Sequence, residues 1–264
     1  MNKSIAFYAY VFKQLLIEEL VIFKETFGDK IINLGIWVSI TAGIFGYIMP
    51  AFGLSADYGS FQLAGLIASA GLFEIFPSVM MLVSDIEGDR VISYQLTLPL
   101  PSWLILMKKM AYYAINALSL SICVMPIGKL VLWNQFDLTQ IRVIPFVLIV
   151  LVSSIFYGTL TLWLASKVKN MSNIGNIWMR FIFPMWFLGG FQFSWAVLYK
   201  VCPPLAYLNL LNPMTYVMEG MRAALLGQQE FLSVWLCIIA LIIFSILSGW
   251  RATVKLKQRL DFVS

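Results

Sequence analysis

Six runs of about twenty mainly apolar residues recur along this chain, each long enough to cross the roughly 30 Å hydrocarbon core of a bilayer as a helix. They occupy residues 31–49, 61–83, 110–133, 143–165, 177–197 and 232–250. A backbone in lipid must satisfy its own hydrogen bonds, so such runs predict an all-α polytopic membrane protein with six transmembrane helices. Composition points the same way. Of 264 residues, 61% are hydrophobic and 12% charged, against about 25% charged in an ordinary soluble domain. The mean hydropathy is +0.86.

Several chemistries are excluded by what is missing. There is no histidine, which removes the commonest general base and metal ligand. Cys123, Cys202 and Cys237 stand far apart in or beside apolar runs, without the close spacing of a zinc site, and read as small buried hydrophobes. No GxxxxGK[ST] or GxGxxG motif is present, so no nucleotide is expected to be held by this chain. The net charge of +5 is not gathered into one patch interleaved with aromatics, which argues against nucleic acid.

The cations instead flank the apolar runs. With the N-terminus inside, fourteen of the 18 Lys and Arg residues fall in cytoplasmic segments and four, Lys129, Arg142, Lys200 and Arg222, in outer ones. By the positive-inside rule both termini are expected to be cytoplasmic. Residues 1–30 carry scattered charges and no uninterrupted apolar stretch, so a cleavable signal peptide is not expected.

Three segments outside the spans have their own signatures. Residues 4–25, plotted at 100° per residue, separate Lys13, Gln14, Glu18, Lys24 and Glu25 from an apolar arc, which predicts an amphipathic helix on the cytoplasmic leaflet. Glu19 falls inside that arc, so it either snorkels or meets a protein partner. Residues 84–101 begin with Ser84 and Glu87 in capping-box spacing and end with Pro99 and Pro101, predicting a short helix over about 85–98. Its acidic residues Asp85, Glu87 and Asp89 lead, with Gly88 between them, and Val91, Ile92, Leu96 and Leu98 follow. So much apolar surface on a loop calls for a cover, whether membrane, the same chain or another protein. Residues 202–226 are broken by Pro203, Pro204 and Pro213. Their best helix, opened by Asn212-Pro213 and stopped at Gly227, is too short to cross, which predicts a re-entrant or interfacial helical hairpin on the outer side.

Charges inside apolar runs are costly. Glu74 sits mid-way along the second run; it lines a polar path or dimer seam, is a protonated acid bonded to a neighbouring helix, or marks a shifted register. Glu219 and Arg222 lie three apart on the hairpin helix and can neutralise each other. Pro77, Pro184 and the Gly189-Gly190 pair predict kinks and close helix approach. Trp37, Phe45, Trp178, Phe181, Trp186 and Phe187 in runs one and five could stack on sugars or face lipid.

Together these elements resemble the permease subunits of type-2 ABC exporters, a class that includes polysaccharide, lipo-oligosaccharide and drug-export permeases. Two patterns carry the resemblance. After run two the family has an acidic residue and glycine, then leucines, a proline and a lysine, here Glu87, Gly88, Leu96, Leu98, Pro99, Leu100 and Lys108; its usual E-G-T-L is E-G-D-R in this chain. Before the last run it has a proline and then N-P-[LM]-[ST]-Y…R…G, here NPMTYVMEGMRAALLG from Asn212 to Gly227 after Pro203 and Pro204.

The resemblance implies a connecting helix over residues 1–30, a six-span domain over 31–250 and a basic cytoplasmic tail over 251–264. It implies that 85–98 is a coupling helix docking on a cytosolic ATP-binding subunit, with Asp85, Glu87, Gly88, Asp89, Val91, Ile92, Leu96 and Leu98 at the contact. Two permeases and two ATPases would form the complex, with ATP and Mg on the partner and no cofactor on this chain. Glu74, Trp186 and Phe187 would lie by the translocation path, and the location would be the bacterial inner membrane. On this reading the chain is not itself an enzyme. The rival readings are an ion-coupled secondary transporter, which needs ionisable groups at mid-membrane, a non-transporting assembly subunit and, least supported by the residues, a membrane enzyme.

Overall fold

A computed structural model of the chain describes residues 5–88, 91–97, 100–168, 170–228 and 230–261. Among the described residues every regular element is helical. The chain opens with α1 (Ile5–Gly43), which passes through a π-helical segment, Ile44–Ile48, into α2 (Met49–Ala51). The amphipathic segment and the first apolar run are therefore one unbroken helix. Pro50 explains the π turn. It has no N–H to offer the Gly46 carbonyl four residues back, and that carbonyl instead accepts the Gln135 side-chain amide at 2.9 Å.

The second run forms α3 (Tyr58–Phe73) and α4 (Ile75–Glu87), with a break at Glu74. Pro77 lies in the first turn of α4 and leaves the Phe73 carbonyl without its helical donor, which places the bend at the carboxylate. Helix α3 is the centre of the bundle: thirteen of its 16 residues are buried, among α1, α6, α7 and α12. Its small residues, Gly59, Ala64, Gly65, Ala68 and Gly71, let neighbours approach closely, which is how helices associate where lipid is as apolar as leucine. Tyr157 of the neighbouring helix lies across Gly71 and donates its hydroxyl to the Ala68 carbonyl at 2.5 Å.

Helix α5 (Val91–Thr97) is the short helix after the second run. Its start differs from the sequence expectation. Ser84 lies inside α4, where its carbonyl takes the Gly88 N–H at 2.8 Å, so Ser84 and Glu87 form no capping box. Asp85 does the capping instead: its two carboxylate oxygens accept the Val91 and Ile92 N–H groups, each at 3.0 Å. The S-x-x-E pattern suits a helix interior as well as a helix start, and here the chain breaks at Gly88. Asp89, Leu98 and Pro99, and the side chain of Leu96, lie outside what is described.

Runs three and four are single helices, α6 (Ser102–Leu132) and α7 (Val143–Lys167), and run six is α13 (Val234–Asp261). Run five is not one helix. It is helical through α8 (Gly175–Ile177), a π-helical segment Trp178–Ile182 and α9 (Phe183–Leu188), then turns at Gly189-Gly190. Pro184 follows the π segment as Pro50 follows the first. Gly190 has φ +92°, which only glycine adopts at little cost, and a Cβ on Gly189 would stand 2.6 Å from the Met185 carbonyl. After the turn come α10 (Trp195–Val201), α11 (Pro203–Asn209) and α12 (Pro213–Leu225). Five helices among the described residues are thus long and apolar enough to cross a membrane: Phe7–Ala51, Tyr58–Glu87, Ser102–Leu132, Val143–Lys167 and Val234–Gln258. Helices α8 to α9 together span only about 21 Å at 1.5 Å per residue.

Candidate functional site

Ionisable side chains gather in three clusters along the bundle: one at the end that carries α10 to α12, one at the end that carries α5, and one between them.

The first is built on α12. Asn212 caps the helix by accepting the Met214 N–H at 3.0 Å, and its amide donates to the Met185 carbonyl at 2.8 Å, fixing α12 to the end of α9. One turn and a half along, Glu219 and Arg222 are almost wholly buried, at 1% and 0% exposure. Their ion pair is long, at 3.8 Å. Their nearer partners are backbone. Glu219 accepts the Trp195 N–H at 2.9 Å and the Leu232 N–H at 3.1 Å, satisfying free amides at the start of α10 and just before α13. Arg222 donates to the carbonyls of Phe191 and Phe193 at 3.0 and 3.1 Å, and its guanidinium lies 3.6 Å from the Phe61 ring centroid. The sequence brought this pair together correctly, but its main work is to hold the turn after Gly190.

Beside this cluster a cavity of about 1000 Å³ opens between the start of α3, the α6–α7 loop and the Gly190 and Gly227 turns, with Tyr58, Gln135, Gln192 and Phe231 among its walls. Tyr58 donates to the Gln192 carbonyl at 2.8 Å, and Gln62 donates to both Tyr58 and Gln192 at 3.0 Å. At its rim Asp137 accepts the Thr139 N–H at 2.9 Å and hydroxyl at 2.8 Å. These bonds hold its carboxyl below the usual carboxylate range.

The second cluster ties α5 into the bundle. Lys108 of α6 is fully buried and donates to Glu19 of α1 at 2.8 Å and to the Gln95 side-chain oxygen of α5 at 2.9 Å. Lys109 also pairs with Glu19 at 2.5 Å. The acid that interrupted the apolar arc thus has its partners within the chain. Helix α5 turns Ile92 and Gln95 inward, with Ile92 fully buried, and leaves Val91 and Tyr94 46% and 68% exposed. Its start is anchored by Asp85, and Glu87 accepts the Met171 N–H from the loop after α7 at 3.2 Å. Of the residues expected around this helix, the structure joins Asp85 to α5 and Glu87 to the next loop. Gln95 and Tyr94 were not expected there.

The third cluster is at the break in run two. Glu74 forms an ion pair with Lys30 of α1 and accepts the Asn116 amide of α6 at 2.9 Å. It is neither unpaired nor shifted in register. Lys30, counted from sequence among the loop cations, is the counter-ion of an interior carboxylate. Aromatic rings continue the seam: Phe73 lies between Trp37, Trp178 and Trp186, at 5.0 to 5.6 Å between centroids. Trp186 donates its indole N–H to Ser69 at 2.8 Å, whereas Phe187 points outward at 44% exposure. Trp186 therefore shares the aromatic seam next to Glu74, and Phe187 touches the seam only at its edge, with its ring 6.1 Å from that of Trp186. Among the described residues no group of three or more Cys, Asp or Glu side chains could hold a metal ion.

A family model described as ABC-2 type transporter matches residues 22–226, a range that holds Glu74, Lys108, Glu219 and Arg222 and leaves out Glu19. The chain belongs to the ABC-2 type transporter family. Among curated proteins, none matches the sequence. As an ABC-2 membrane protein the chain is a multi-pass permease component. The family match extends from the first helix through α12, so the broken helix, α5 and α10 to α12 are parts of the ABC-2 unit.

Proposed function

We propose that this chain is the membrane-spanning permease subunit of an ATP-driven exporter, working as a homodimer with two separate cytosolic ATPase subunits. The observation that carries this reading is the way α5 is mounted. It is a short helix between two spans, capped by Asp85, tied through Gln95 and Lys108 to both α1 and α6, and it presents Val91 and Tyr94 outward. A partner pushing on that exposed face would move two long helices through a buried ionic link. ATP and Mg would be bound on the partner, and this chain would hold no cofactor and catalyse nothing itself.

In this reading the α5 end and both termini face the cytoplasm, and the α10 to α12 end faces outward as a re-entrant cap. Lys30, Lys108 and Arg222 are engaged in interior contacts, so they drop out of the topology count. Twelve cations then remain on the cytoplasmic side against three outside, and the bias survives. Helices α8 and α9 with the hairpin behind them would complete the sixth crossing. The location would be the bacterial inner membrane. Glu74 and the aromatic seam with Trp186 would lie beside the route at the dimer centre, and α1 before residue 30 would act as the connecting helix.

The test is co-purification of the detergent-solubilised chain with the ATPase encoded beside it, followed by an ATPase assay. Wild type is expected to retain the ATPase, and Val91→Glu with Tyr94→Glu to lose it while the chain still inserts. Retention by the double variant would remove α5 as the docking site. Transport by the purified permease alone, driven by an ion gradient, would favour the secondary-transporter reading.

A further inference from the structure

A second cavity, about 390 Å³ in volume, lies between the ends of α7 and α13 and is lined by Trp163, Lys167, Trp250, Arg251, Val254 and Lys255. Three features set it apart from an ordinary row of interfacial cations. First, among the described residues its charged lining is of one sign: three cations and no carboxylate. Arg251 and Lys255 are four apart on one helix face, a spacing at which like charges repel, and Lys167 meets them from the neighbouring helix. Second, the Trp163 ring carries the Lys167 ammonium 5.2 Å from its centroid, an attraction that holds this cation at the cavity wall beside the other two. Third, the walls are held in place. Thr159 and Ser248 hydroxyls are bonded at 2.8 Å between the same two helices, one to two turns deeper, and Ala252 and Leu256 are fully buried.

We infer that this cavity is a binding site for the phosphate of an anionic glycerophospholipid. The three cations would surround the phosphate oxygens, with Lys167 held over the Trp163 ring, and Trp250, 65% exposed, would sit at headgroup level where tryptophan is favoured. A basic pocket between helix ends at the membrane surface is the setting in which acidic headgroups are retained. The site needs only a membrane boundary at the ends of α7 and α13, so it stands or falls separately from the ATPase-docking proposal. Bound there, the lipid would brace the last span against the fourth.

The experiment is native mass spectrometry of the full chain in detergent, titrated with phosphatidylglycerol or, separately, phosphatidylcholine. Phosphatidylglycerol is expected to bind at one site, and Lys167→Gln with Lys255→Gln to weaken it about 30-fold, from roughly fivefold per cation. Lys167→Arg with Lys255→Arg should retain binding, which guards against a variant that merely misfolds. Three results would overturn the inference: equal binding of phosphatidylcholine, an equal loss on neutralising the exposed Lys13 and Lys24, or displacement of the lipid by an equal concentration of inorganic phosphate, which would mark a free-anion site.

Discussion

The two ends of the bundle are both held by buried charge, but in different ways. At the α12 end Glu219 and Arg222 spend their hydrogen bonds on backbone groups of the chain segments around them. At the α5 end Glu19, Lys108, Lys109 and Gln95 bond side chain to side chain across three helices. A backbone partner cannot leave without unfolding its turn. A side-chain partner can exchange as helices slide, at the cost of rotamer changes alone. If α5 couples to an ATPase as proposed, the α12 end is the fixed part of the molecule and the α5 end the part that moves.

Removing Arg222 should therefore have the largest effect. Arg222→Leu leaves a buried carboxylate without its cation and two carbonyls without donors, a change worth about 3–5 kcal/mol. It should abolish recovery of folded protein, measured as monodisperse material after detergent extraction. Lys108→Met should cost less, about 1–3 kcal/mol, because Lys109 still faces Glu19. Its signature should be functional: the ATPase still binds, but its stimulation by the permease falls. If Lys108→Met is instead as damaging to folding as Arg222→Leu, the distinction between a fixed and a moving end fails.

Glu74→Gln keeps an acceptor for Asn116 and loses only the Lys30 ion pair, so a cost of about 1 kcal/mol is expected, with the complex assembled and export altered. Unchanged export would make Glu74 a structural acid like Glu219. The smallest effect belongs to Asp137 at the cavity rim. Its carboxyl titrates below the ordinary range, so its bonds to Thr139 add stability above that range and are lost as the pH falls through the lowered value. Asp137→Asn should remove that pH dependence from the thermal melt and leave the rest of the curve in place.

What could be read from sequence follows a physical line. Local signals were legible: Asn212-Pro213 opening a helix, Gly227 closing it with φ +105°, and Glu219 and Arg222 sharing a face. Misfits were legible as questions, since Glu19 broke an apolar arc and only the fold could supply Lys108, 89 residues away. Lys30 resembled any flanking cation because nothing local marks its partner 44 residues on. Run five was expected as one span kinked at Pro184 and Gly189-Gly190, and its helix ends at that glycine pair, because hydropathy counts apolar residues and is blind to where a helix stops. Residues 177–197 are mainly apolar, yet the left-handed turn at Gly190 ends the helix half-way. The Ser84 and Glu87 pair failed for a related reason, as a capping motif does not say whether the preceding helix has ended.

If α5 is the handle by which a cytosolic ATPase works this permease, one cysteine placed there should report it: Tyr94→Cys, in a chain whose Cys123, Cys202 and Cys237 are replaced by serine, labelled with a membrane-impermeant maleimide. Labelling is expected in inside-out vesicles but not in intact cells, with protection when the ATPase is bound. Labelling from outside the cell, or labelling unaffected by the ATPase, would contradict it.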